Sequence, residues 1–190
     1  LIDPFCGSGT IAIEACLIAQ NIAPGFNREF VSEQWNIMPA NIYDDYRDEA
    51  DKMADYDKEI EVYASDIDPE MVEIAKRNAE EVGLSDIIKF SVKDVNTLTI
   101  DTEEPVALIG NPPYGERIGD REEVEEMYRY IGKLMKQHPF LSTYILTSNK
   151  EFEYLVDRKA TKRRKLFNGY IECTYYQYWG KKTERKTIEN

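Results

Sequence analysis

A glycine-rich turn near the start of the chain constrains the fold more than any other feature. Leu1 and Ile2 are apolar and typical of a strand end, DPFCGSGT occupies residues 3–10, and an alanine-rich apolar segment continues to Gln20. Two glycines between a strand and a helix allow a tight turn and a close approach of a ligand to the backbone. The segment predicts a short first strand, a ligand-binding turn and a helix.

Strand-type and helix-type segments alternate along the rest of the chain. Residues 21–57 are predicted to form a helical insertion, and further helices are predicted from Asp68 to Val82 and from about Arg121 to Gln137. Predicted strands lie at 61–65, 87–92, 106–109 and 141–147, and residues 166–167 and 172–179 are predicted to form a final hairpin. This order predicts a Rossmann-like, doubly wound α/β sheet that is mostly parallel, with a terminal antiparallel hairpin.

Composition favours one reduced, cytoplasmic domain. A chain of 190 residues with 42% hydrophobic content can bury one sizeable core. The three cysteines are odd in number and widely spaced, which fits neither a disulfide framework nor a metal cluster, and His138 is the single histidine. We therefore predict no metal, and no apolar run approaches the roughly 18 residues of a membrane span. Because the first strand is cut short, we expect the chain to be a truncated piece of a longer protein.

Acidic residues follow three of the predicted strands. Asp3 precedes the glycines and directs negative charge at the ligand, which favours a cation over the pyrophosphate of a dinucleotide, although GSGTIA at residues 7–12 also fits the dinucleotide pattern GxGxxA. Asp66 can accept both hydroxyl protons of a ribose, and Asp94 can accept the amino proton of an adenine. Their neighbours Ile67 and Val95 can enclose the adenine ring. The set predicts a nucleoside site.

A fourth strand end carries NPPY at residues 111–114. With DPFCGSGT at 3–10, SDID at 65–68 and NPPYGER at 111–117, the chain resembles class I S-adenosylmethionine (AdoMet)-dependent methyltransferases. Within that class it is similar to the THUMP-containing RNA methyltransferases, which include bacterial 23S rRNA guanine-N2 enzymes. The resemblance implies seven strands in the order 3-2-1-4-5-7-6, an upstream THUMP-type RNA-binding region that we expect to be missing here, and S-adenosyl-L-homocysteine as product. It implies these cofactor-binding residues: Asp3, Phe5, Gly7, Gly9, Asp66, Ile67, Asp94, Val95 and Asn111.

The loop chemistry suits methylation of an exocyclic amine. Such an amine is a poor nucleophile because its lone pair is delocalised into the base. The Asn111 side-chain carbonyl and the Pro112 backbone carbonyl can accept its two N–H bonds, which frees the lone pair. Pro112 and Pro113 stiffen the loop, and Tyr114 offers a flat face on which the target base can stack.

Charge is distributed unevenly in a way that favours an RNA partner. Residues 158–190 hold ten Lys or Arg against three Asp or Glu, a net charge of +7, which leaves −19 for residues 1–157. The basic run can be a solvated connection, or it can bind phosphates. The predicted RNA-binding residues are Arg117, Arg158, Lys162, Arg163, Arg164 and Lys165.

The leading prediction is AdoMet-dependent methylation of guanine N2 in RNA, most specifically 23S rRNA. The loop chemistry suits any exocyclic amine, so N6-adenine or N4-cytosine methylation of RNA or DNA is an alternative. A non-catalytic AdoMet- or RNA-binding module is a third hypothesis. The sequence leaves the oligomeric state open.

Overall fold

The computed structural model describes residues 1–39, 41–114 and 120–182. The described elements, in chain order, are β1 (Ile2–Asp3), α1 (Thr10–Ala19), a 3₁₀ turn (Val31–Gln34), α2 (Ile42–Met53), β2 (Val62–Asp66), α3 (Pro69–Glu81), β3 (Ile88–Val92), a second 3₁₀ turn (Val95–Thr97), β4 (Val106–Gly110), α4 (Asp120–Gln137), β5 (Leu141–Thr147), α5 (Phe152–Leu155), β6 (Lys162–Asn168) and β7 (Ile171–Tyr178).

The strands form a seven-stranded sheet in the order β3-β2-β1-β4-β5-β7-β6. Strands β1 to β5 pair in parallel, and β7 pairs antiparallel with both β5 and β6. The predicted fold class, strand order, short first strand and terminal hairpin are confirmed. Parallel strands direct their carboxyl ends to one edge of the sheet, so the turns after β1, β2, β3 and β4 meet there.

Helices cover the sheet on both faces. On one face, α1 and α3 pack over Val62, Ala64 and Ile88. On the other, α4 and α5 pack over Leu108, Ile145 and the aromatic side chains of β7. The β1 register supports these sides, because Ile2 pairs with Leu108 while Asp3 pairs with Ala64. None of the helices in the described ranges is both long and apolar enough to cross a bilayer.

Local signals place α3 as predicted. The Asp68 carboxylate accepts the Glu70 N–H at 2.8 Å and caps the helix, Pro69 occupies its first position, and Gly83 leaves it with φ +74°. The predicted insertion contains α2, which is shorter than the sequence suggested. Helix α3 therefore begins after its capping residue Asp68 and ends before Gly83, as the local sequence predicts.

The basic run has a different environment from the solvated connection considered above. Residues 162–165 belong to β6, which is longer than the predicted strand at 166–167 and forms one edge of the sheet. All four side chains are exposed. Lys and Arg are common on edge strands because they discourage pairing with another chain, and the same exposure makes them available to phosphates.

Candidate functional site

A cavity of about 470 Å³ opens at the carboxyl edge of the parallel strands. This volume is within the usual range for small-molecule sites. Most of the predicted cofactor-binding residues line this cavity, together with Pro113 of the NPPY loop. These lining residues are Phe5, Gly7, Asp66, Ile67, Asp94, Val95, Asn111 and Pro113. Asp3 and Gly9 are buried and are not among the lining residues.

Asp66 organises the glycine turn. Its Oδ2 accepts the Gly7 N–H at 2.9 Å, and its Oδ1 accepts the Asp68 N–H at 3.1 Å. A carboxylate offers about four acceptor positions, so each oxygen keeps one for a ligand. The sequence indicated the ribose role of Asp66 but not its bond to Gly7, which depends on the pairing of β1 with β2.

Asp3 is fully buried at the start of the same turn. Its Oδ1 accepts the Phe5 N–H at 3.3 Å, whereas its Oδ2 is buried without a hydrogen-bond partner in the described part of the chain. Burial, more than the neighbouring Asp66, raises the pKa of Asp3 to about 7. An unpaired buried carboxylate oxygen is costly unless a donor or a cation reaches it, so this group fits a cationic ligand.

Gly7 and Gly9 have separate reasons to be glycine. Gly7 has φ +49° and open space around the position of a Cβ, which leaves its backbone accessible from the cavity. Gly9 has φ +87°, and a Cβ there would lie 3.0 Å from the Ala75 Cβ. From the sequence, both glycines were predicted to allow close approach of a ligand. In the structure, the absence of a side chain at Gly9 instead allows the start of α1 to pack against Ala75 of α3.

Phe5 is placed by a glycine of another strand. A Cβ on Gly110 would lie 2.7 Å from the Phe5 Cδ2, so the ring of Phe5 rests directly on the end of β4. Gly110 precedes Asn111, and this contact therefore joins the glycine turn to the NPPY loop. Nothing local in the sequence indicated the role of Gly110.

The turn after β3 supplies a polar and an apolar group. Asp94 accepts the Asn96 N–H at 2.9 Å through its Oδ1 and so caps the short 3₁₀ turn, while its side chain also lines the cavity. Val95 is buried, whereas Ile67, which also lines the cavity, is 69% exposed. A large exposed apolar side chain beside a cavity is suited to an aromatic ring.

The NPPY loop is held by tyrosine hydroxyl groups. The Tyr114 hydroxyl donates to the Asn111 Oδ1 at 2.7 Å, and the Tyr128 hydroxyl of α4 donates to the Pro113 carbonyl oxygen at 3.3 Å. Burial raises the pKa of Tyr128 to about 12, so this hydroxyl keeps its proton and remains a donor. Pro112 is buried and Asn111 is exposed on the cavity wall. Tyr128 was not predicted from the sequence.

The cavity is also lined by residues that were not predicted from the sequence to belong to the site. They include Lys93 before Asp94 and Met127 of α4, and Cys6 lies in the glycine turn. Burial raises the pKa of the Cys6 thiol to about 12, which makes it an apolar packing group and not a nucleophile. Within the described ranges, no cluster of three or more His, Cys, Asp or Glu side chains is arranged to hold a metal ion.

The predicted RNA-binding residues fall into three environments. Arg163 pairs with Glu153 at 3.2 Å, and Lys165 pairs with Glu172 at 2.5 Å. Lys162 and Arg164 point to the opposite face of β6 by strand alternation, and neither has an ion-pair partner among the described residues. Arg158 lies over the Tyr178 ring at 5.7 Å from its centroid. Arg117 lies outside the described residues.

Comparison with known proteins identifies the family. The model of the RMKL-like methyltransferase domain matches residues 1–177. The chain therefore belongs to the RMKL-like methyltransferase family.

Two curated relatives cover nearly all of this chain. YpsC of Bacillus subtilis, named as a candidate RNA methyltransferase, is 53% identical over 190 residues, which are 100% of this chain and 49% of that protein. The ribosomal RNA large subunit methyltransferase K/L of Shewanella frigidimarina is 41% identical over 186 residues, 94% of this chain and 26% of that protein. The chain thus spans half or less of the length of these relatives.

Two solved structures share the fold closely. SMU.472, described as a candidate methyltransferase in complex with S-adenosylhomocysteine (SAH), superposes with a TM-score of 0.90 at 42% identity and covers 96% of this chain and 48% of that one. A Listeria monocytogenes protein, described as a predicted N6-adenine-specific DNA methylase, superposes with a TM-score of 0.88 at 49% identity and covers 95% and 46%. Of these two descriptions, that of the Listeria protein names a substrate.

Proposed function

We propose that this chain is the catalytic domain of an AdoMet-dependent methyltransferase that modifies an exocyclic amine of an RNA base. The observation that carries the proposal is that Asn111 lines the same cavity as Asp66 and Asp94. A nucleoside-type site and an amine-binding loop then face one space. The SAH complex of SMU.472 supports AdoMet as the cofactor.

The residues around the cavity fit AdoMet on chemical grounds. The Oδ2 of Asp3 has no hydrogen-bond partner among the described residues and lies in the glycine turn. The negative charge of this carboxylate suits the amino group of the cationic AdoMet. The spare acceptor positions of Asp66 suit the ribose hydroxyl groups, and Asp94 suits the adenine amine, with Ile67 and Val95 beside the ring. Phe5 and Gly7 complete the wall, and Gly9 keeps the turn in place through its packing on Ala75.

Once bound, AdoMet supplies an electrophilic methyl group on its sulfonium. The chain itself needs to orient the amine. The Asn111 Oδ1 keeps one acceptor position beside its bond from Tyr114, and the Pro112 carbonyl oxygen supplies a second acceptor for the amine. Bonds to both N–H groups draw the nitrogen towards tetrahedral geometry, so its lone pair points at the methyl group. Catalysis here is mainly alignment.

We further propose guanine N2 of large-subunit rRNA as the target. The name of the Shewanella relative, a ribosomal RNA large subunit methyltransferase, supports rRNA, and the exposed basic residues of β6 support a phosphate backbone nearby. Adenine N6 is the second candidate, since the Listeria protein is described as an N6-adenine-specific methylase of DNA. The loop chemistry alone suits either base.

The test uses the purified protein and labelled AdoMet with unmodified rRNA or unmethylated DNA in parallel reactions, followed by nucleoside analysis. We expect N2-methylguanosine. Label recovered only as N6-methyladenosine, or only in DNA, would replace the assigned target with the second candidate.

The variant Asn111→Ala separates an enzyme from a binding module. We expect methyl transfer to be lost while AdoMet still binds, because Asn111 forms only part of the cavity wall. A wild-type protein that binds AdoMet and RNA but never transfers a methyl group would support a non-catalytic module.

A further inference from the structure

A polar side chain of the hairpin between β6 and β7 contacts the NPPY loop. Asn168, the last residue of β6, donates from its Nδ2 to the Tyr114 hydroxyl oxygen at 3.2 Å. Tyr114 in turn donates to the Asn111 Oδ1 at 2.7 Å. Asn168 and Tyr114 are 54 residues apart in sequence, so the contact is a product of the fold.

Two hydrogen bonds at the Tyr114 hydroxyl agree in direction. A phenol hydroxyl has one proton to donate and lone pairs to accept. The hydroxyl donates its proton to the Asn111 Oδ1, and its oxygen accepts the N–H of Asn168, which favours this direction of the proton. Asn111 is thereby held with its oxygen, and not its NH₂ group, towards Tyr114.

The orientation of Asn111 matters for the proposed reaction. An Asn side chain that rotates by half a turn exchanges an acceptor for a donor at nearly the same place. A donor at the cavity wall would repel the N–H bonds of the amine that the loop has to accept. Holding the acceptor in place before the base arrives is a form of preorganisation.

The hairpin is built to keep Asn168 in register. Gly169 has φ +60°, which suits a two-residue turn between β6 and β7, and Asn168 pairs with Ile171 across it. The same strand carries the exposed basic residues, and Tyr170 at the tip is fully exposed. RNA held along β6 would therefore lie next to Asn168.

We propose that Asn168 is a positioning residue that acts through Tyr114 to present the Asn111 oxygen to the target amine. The proposal rests on the proposed function for its catalytic part. It assigns to the β6–β7 hairpin a role in the methyl-transfer step itself, beyond contact with RNA.

The variant Asn168→Asp tests the direction of the hydrogen bonds with almost no change of shape. A carboxylate only accepts, so the Tyr114 proton should turn towards Asp at position 168 and release Asn111. We expect kcat at saturating RNA and AdoMet to fall about tenfold, as for loss of one well-placed hydrogen bond, with AdoMet affinity unchanged. The control Asn27→Asp makes the same charge change at an exposed position of the insertion and should leave kcat unchanged.

A double-mutant cycle distinguishes positioning from a general effect on folding. In a Tyr114→Phe protein there is no hydroxyl proton to direct, so adding Asn168→Asp should change kcat less than about twofold. An equal loss from Asn168→Asp in both backgrounds would overturn the proposal.

Neutron crystal structures of the wild type and Asn168→Asp, which locate protons, provide a readout that needs no activity. We expect the Tyr114 hydroxyl proton to point at Asn111 in the wild type and at the carboxylate of position 168 in the variant. The same proton direction in both proteins would refute the role of Asn168 even in an active enzyme. Absence of methyl transfer by the wild type would instead refute the proposed function, and the structures would still decide whether Asn168 holds the pair.

Discussion

Replacing Asp3 with Asn should remove one source of the pH dependence of the free energy of unfolding. It should also make the protein more stable at about pH 8 while weakening cofactor binding. Burial raises the pKa of Asp3 from 3.8 to about 7, while the unfolded chain titrates near the ordinary value. Between these values the folded protein holds a proton that the unfolded chain has lost, so stability falls as the pH rises. The contribution of that proton is complete below pH 3.8 and lost by about pH 7.

The size of the effect follows from the pKa shift and the hydrogen bonds. At about 1.36 kcal/mol per pH unit, the change in the pKa of Asp3 from 3.8 to about 7 means that ionised Asp3 costs the protein without cofactor about 4 kcal/mol above pH 7. In Asp3→Asn, the amide oxygen can keep the bond from the Phe5 N–H, and the amide nitrogen takes the unpaired Oδ2 position. An unpaired buried donor costs about 1–3 kcal/mol. The net expectation is near-equal stability at about pH 5 and a variant about 1–3 kcal/mol more stable at about pH 8.

Urea unfolding without cofactor measures this directly. The difference in the free energy of unfolding, variant minus wild type, should rise by about 1.4 kcal/mol per pH unit from about pH 5 to about pH 7 and then level off. Calorimetric titration should show AdoMet binding the variant more weakly, with wild-type affinity rising towards pH 7 and the variant nearly flat. A stability difference that stays constant over this range would refute the reasoning, because Asp3 would then titrate normally.

Three other substitutions probe the cavity and the basic strand. Gly110→Ala should push the Phe5 ring out of place and cost about 1–3 kcal/mol of unfolding free energy, with weaker AdoMet binding; unchanged affinity would contradict the contact. Asp66→Asn should lower AdoMet affinity about tenfold or more in calorimetry, since an amide cannot accept both backbone N–H groups, whereas Asp68→Asn should bind normally because Asn also caps helices. Arg164→Gln should weaken RNA binding and reduce the slope of log K against log salt by about 1. The change should be smaller for Arg163→Gln, because Arg163 already pairs with Glu153. Equal slopes in both variants would count against RNA binding by the β6 face that carries Lys162 and Arg164.

The carboxyl-edge arrangement could be predicted because it rests on near neighbours in sequence. Strand and helix periodicity, the Asp68 cap with Pro69, and polar residues directly after strands are local patterns, and they placed the acids and the NPPY loop at one edge. Two aromatic residues of the last strand, Tyr176 and Tyr178, are buried in the core. The basic run was harder to interpret, because charged strand residues at a sheet edge lack the alternation that marks a half-buried strand.

Only the tertiary structure decided which residues complete the site. The bond from Gly7 to Asp66 spans 59 positions and the bond from Asn168 to Tyr114 spans 54, and both depend on strand order and register. The packing of Gly110 on Phe5 and of Gly9 on Ala75 depends on how closely two elements approach. The sequence by itself determined the fold class and the chemistry of each strand end, because those follow from residue type and local spacing. The partners of those residues follow from distances between segments far apart in the chain, which no local pattern records.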